Sequence, residues 1–95
     1  MLHLLVSSAD AELVEGLRAL LPPGAALVSA RGVDETLDLL GRSARVDAVV
    51  TDDPAVERAI REEVPGTLPV VVVRRGTSPD EAWGALVAGT APGEP

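Results

Sequence analysis

Apolar and polar positions alternate in blocks along the chain, and the blocks switch period. Leu2–Val6 is short and apolar and stops at Ser7-Ser8, a strand pattern. Asp10–Leu21 then places Leu13, Val14, Leu17, Leu20 and Leu21 on one helical stripe, with Ser7, Ser8 or Asp10 able to cap it and Pro22-Pro23-Gly24 to stop it. Ala25–Ala30 reads as a second strand. Val33–Arg42 puts Val33, Leu37 and Leu40 on one face, with Glu35 and Asp38 outside: a second helix. Val46–Thr51 reads as a third strand. Pro54–Val64 aligns Val56, Ile60 and Val64, with Pro54 suited to the first helical turn and Pro65-Gly66 ending the helix. Leu68–Val73 holds four consecutive valines, the pattern of a strand covered on both faces. Ser78-Pro79-Asp80-Glu81 is a capping box that opens a last helix running to about Ala88 and stopping at Gly89.

The order is βαβαβαβα, which implies a parallel sheet with right-handed crossovers and helices on its faces. Ligands of such sheets sit outside the carboxyl ends of the strands. Those ends are Ser7-Ser8, Ala30-Arg31, Asp52-Asp53 and Arg74-Arg75. The 95 residues make one domain, taken as 1–89, with 90–95 as tail or linker.

Composition narrows the chemistry. The core is aliphatic, with one Trp and no Phe or Tyr, which removes the stacking platforms of single-strand nucleic-acid binding. Net charge is −7, so a polyanion is repelled and no nucleic-acid partner is expected. All eight basic residues are Arg, which excludes catalytic lysine mechanisms. Without Cys there is no thiol catalysis or thiolate metal site, and one His makes no His-rich one. No run approaches the ~20 apolar residues of a membrane span, and Met1–Val6 lacks the basic start and the length of a signal peptide. The expectation is a cytoplasmic protein without membrane partners, metal or cofactor. No Gly-x-Gly-x-x-Gly, phosphate loop or Gly-x-Ser-x-Gly elbow occurs.

In order and spacing, three stretches resemble response-regulator receiver domains. Val46–Asp52 is similar to the family's third strand, which ends in the phospho-acceptor Asp; Leu68–Val73 to its fourth strand; and Ala82–Gly89 to the helix that follows. The resemblance implies a three-layer flavodoxin-like sheet of about four strands in the order 2-1-3-4, a truncated (βα)4 form of a family that ends in a fifth unit. It places the acceptor at Asp52. The family's acidic pair falls on Ser7 and Ser8, its switch hydroxyl on Arg74, and its Lys has no counterpart. Two hydroxyls supply little of the charge a hard divalent cation wants. The implied domain is a pseudo-receiver that has lost its chemistry: not an enzyme, but a protein-interaction module of bacterial-type signal transduction. The alternatives are a phospho-acceptor that uses Asp52 with a non-standard metal site, and an unrelated small α/β ligand-binding domain.

Several residues carry two readings. Asp52-Asp53 is either an acceptor or cation site, or a strand-end turn in which Asp53 caps the next helix. Arg74 either supplies positive charge to Asp52 in a fixed ion pair or is solvated. His3 is packed or edge-exposed rather than catalytic. Trp83 is either a partner anchor or a core residue. If the fifth unit is lacking, Leu68–Val73 becomes an edge strand and one sheet face loses a covering helix. The expected partner is then a second copy, a homodimer through Val70, Val71, Val72, Val73, Trp83, Leu86 and Val87. In a longer chain the missing unit would complete the fold in cis.

Overall fold

In a computed structural model, which describes residues 2–42, 46–64 and 68–90, the chain forms a four-stranded all-parallel sheet in the order β2-β1-β3-β4, the flavodoxin-like order. The elements are β1 (His3–Ser7), α1 (Ala11–Leu20), β2 (Ala26–Ala30), α2 (Gly32–Gly41), β3 (Ala48–Thr51), α3 (Pro54–Glu63), β4 (Val70–Val72) and α4 (Pro79–Thr90). The helix stop expected at Pro65-Gly66 and residues 91–95 of the tail lie outside the described residues. No described helix is long and apolar enough to cross a membrane.

Strand alternation divides the core into two layers. Leu4, Val6, Ala48 and Val50 face α1 and α4, where Leu13, Val14, Leu17, Ala82 and Leu86 meet them. Leu5 and Val49 face the other way, onto Val56 and Ile60 of α3, with Leu37 and Leu40 of α2 packed alongside. The α1 stripe buries Leu13, Val14 and Leu17 and leaves Leu20 exposed. On α2 the buried residue is Thr36, not one of the apolar trio. Its hydroxyl donates to Gly32 O at 2.7 Å and lies 2.8 Å from Ser7 Oγ. A single Thr proton is then already committed, so Ser7 donates to Thr36.

Each helix start has a local cause. Asp10 caps α1 by accepting from the N–H groups of Glu12 and Leu13. Glu35 reaches back to accept from Arg31 N at the start of α2. Asp53 Oδ1 accepts from Ala55 N, with Pro54 in the first turn of α3. Ser78 Oγ accepts from Glu81 N at the start of α4, as the capping box requires. Helix α4 continues through Gly89 to Thr90, past the stop expected at that glycine.

The position of α4 corrects one expectation. The step from β1 to β2 runs one way across the sheet and puts α1 on one face; the steps to β3 and β4 run the other way and put α2 and α3 on the opposite face. A right-handed crossover to a further strand beside β4 would need α4 with α2 and α3. Instead α4 packs against α1. Among the described residues both sheet faces therefore carry helices, and the face expected to lose its covering helix has α4 on it. The contact is close: a Cβ on Gly16 of α1 would collide with the Pro79 ring at the start of α4.

Candidate functional site

The carboxyl ends of β1 and β3, where the strand order reverses, border a cleft of about 490 Å³ lined by Ser7, Ser8, Asp10, Gly32, Asp52, Asp53, Arg75 and Gly76 among others. The register pairs Ser7 with Thr51, so Ser8 and Asp52 leave adjacent strands at one level. Ser8 Oγ donates to Asp52 Oδ2 at 2.9 Å and accepts from Asp10 N at 2.9 Å. Ser7 is fully buried and turned to Thr36. The sequence thus places Ser7, Ser8, Asp52 and Asp53 together, but gives them different work. Asp10 and Asp53 hold helix starts, Ser7 anchors α2, and only Ser8 and Asp52 face each other across the cleft.

The basic residue of the cleft is Arg75, not Arg74. Thr77 N donates to Arg74 O at 3.0 Å, and Gly76 has φ +82°, a turn whose third position favours glycine. The turn carries Arg75 to the cleft and leaves Arg74 in a groove with Val72, Val73, Glu81 and Ala85 beside α4. Among the described residues no ion pair joins Arg74 to Asp52. The expected fixed Arg74–Asp52 pair does not form. The sequence signal for Arg75 is Arg75-Gly76-Thr77, a turn motif directly after the strand end at Arg74-Arg75.

No group of three or more His, Asp or Glu side chains that could hold a metal ion occurs among the described residues. The single His lies at the opposite pole. His3 N donates to Asp47 Oδ2 at 2.8 Å, and its Nδ1 lies 3.5 Å from the same oxygen. This pair ties the starts of β1 and β3 together.

The residues expected to form an interface separate. Leu86 is 2% exposed and belongs to the core, and Trp83 is half-buried against the same layer. Helical spacing puts Trp83 one turn after Pro79, on the flank turned to α1, so Trp83 and Val87 do not flank β4. Beside β4 lie Glu81 and Ala85. Of the four valines, Val70, Val71 and Val73 are half-buried and Val72 is 39% exposed. The strand is only three residues long and lies at the sheet edge, as the order 2-1-3-4 requires, with Val70 packed toward α3 and Val71 and Val73 toward α1 and α4. Pro69 O accepts from Val49 N, and Val73 N donates to Thr51 O, extending its pairing by one bond at each end. No family model, curated protein or solved structure matches the chain.

Proposed function

We propose that the chain is a non-catalytic, receiver-like module of bacterial-type regulation that acts by binding protein, a second copy included. The bond from Ser8 to Asp52 carries this reading. At the position the resemblance assigns to a metal-binding carboxylate stands a hydroxyl, which supplies no negative charge for a cation beside Asp52. The other two carboxylates of the cleft are occupied as helix caps. Phosphoryl transfer depends on fixed positive charge around the transferred group, and Arg75 alone supplies little of it.

Acetyl phosphate with Mg²⁺ should leave the mass of the intact chain and the fluorescence of Trp83 unchanged. A stoichiometric adduct that disappears in Asp52→Ala would establish the second reading, a phospho-acceptor. The observation in favour of that reading is that Asp52 is half-buried in an open cleft with a guanidinium among its lining groups.

A further inference from the structure

We infer that two copies of the chain join edge to edge through β4, antiparallel about a two-fold axis at Val71, with Glu57 and Arg61 of each α3 pairing with Arg61 and Glu57 of the other. The inference deepens the interaction reading above and rests on it.

The backbone of β4 is sided. Pro69 O and Val73 N point to β3, so alternation turns the N–H and C=O groups of Val70 and Val72 outward. Pro69 lacks its N–H on the inner side, so it leaves the outer edge unobstructed. In an antiparallel pair centred on Val71, Val70 stands opposite Val72 of the other copy, and each pair exchanges both N–H···O bonds. Every outward group of the three-residue strand is then satisfied. Val72, 39% exposed on the α3 face, gains the other copy's Val70 as a neighbour on that face.

The flank of α3 fits the same axis. Glu63 lines a cleft with Leu37, Leu40 and Gly41 of α2. Helical spacing sets Glu57 and Arg61 on the opposite side of the buried Val56–Ile60 row, toward the outer edge. Both bonds from Arg61, at 3.2 and 2.9 Å, end on Glu57 Oε2. Glu57 Oε1 and Arg61 Nη1 are left for a second pair. Helix α3 packs over β4, and its centre, near Ala59, falls midway between the two charges. A two-fold axis therefore brings acid to base and base to acid.

The other edge of the sheet is β2. β2 is entered through Pro22 and Pro23, and its outward backbone belongs to Leu27 and Ser29, because Ala26 N donates to Leu2 O on the inner side.

Sedimentation equilibrium on the 95-residue chain tests the assignment. The unaltered chain should sediment as a dimer. Glu57→Arg alone and Arg61→Glu alone should each weaken self-association at least tenfold by setting like charges across the axis. Combined in one chain, the two should restore it; mixed as separate chains, they should form a heterodimer. Val72→Pro should also give monomers, since it removes an N–H that β3 does not use, with circular dichroism reporting that the helices persist. A monomeric unaltered chain overturns the inference, as does dissociation by Val28→Lys on β2 with no response to the α3 reversals. A monomer inert to acetyl phosphate would end the dimer and leave the non-catalytic reading. A dimer that forms the Asp52 adduct would do the reverse.

Discussion

At Gly16 the missing side chain lets α1 take the Pro79 ring directly against its backbone. Nothing in the apolar pattern marks this position, because its partner is 63 residues away by sequence number, Gly16 to Pro79. Gly16→Ala adds a methyl where a rigid ring already stands. It should lower stability by about 1–3 kcal/mol, read as an earlier urea midpoint with an unchanged slope. Ser7 and Thr36 were equally hard to read from the chain. Each is an ordinary cap or surface residue until the fold sets their hydroxyls 2.8 Å apart in the interior. Thr36→Val should cost about 1–3 kcal/mol by leaving the Ser7 proton without its acceptor. Adding Ser7→Ala should recover part of the loss, and a double-mutant cycle measures the coupling. By contrast, Asp53 was legible beforehand, because Asp-Pro before an amphipathic stretch is a local signal with a local cause.

At the level of elements, the helices and strands of the described residues follow from hydrophobic period and stop signals. Boundaries and roles follow less well. The four valines predict a strand over Leu68–Val73, yet only Val70–Val72 pairs as one, and it lies at the edge that the order 2-1-3-4 assigns to it. Arg74 and Arg75 exchange roles because one glycine at positive φ turns the chain before the cleft. Leu86 moves from surface to core for a related reason: the sequence shows that α4 has an apolar side, but not which neighbour covers it. Leu86→Ala should therefore destabilise the folded chain itself, by about 2–5 kcal/mol, rather than merely separate two copies. Thermal unfolding below the dissociation concentration distinguishes these outcomes.

For the molecule as a whole, the parallel topology was readable because alternating βα units leave few solutions once crossovers are right-handed. The candidate site was half readable. The carboxyl ends of the strands, and Ser8 and Asp52 upon them, follow from the same topology. Their direct hydrogen bond and the substitution of Arg75 for Arg74 do not, since both depend on turn geometry. The charge pair on α3 is not legible in the sequence for a different reason: i, i+4 pairs are common decorations of exposed helices, and only the position of β4 beneath α3 gives this one a direction.

The seating of the last helix beside the first has a consequence for biogenesis. The layer built on Leu13 and Leu17 waits for Ala82 and Leu86, side chains that leave the ribosome only after β1 to β4 have done so. Up to that moment the nascent polypeptide carries an oily flank that nothing of its own can shield. Helix α4 acts as the closing flap, and folding is committed late rather than unit by unit.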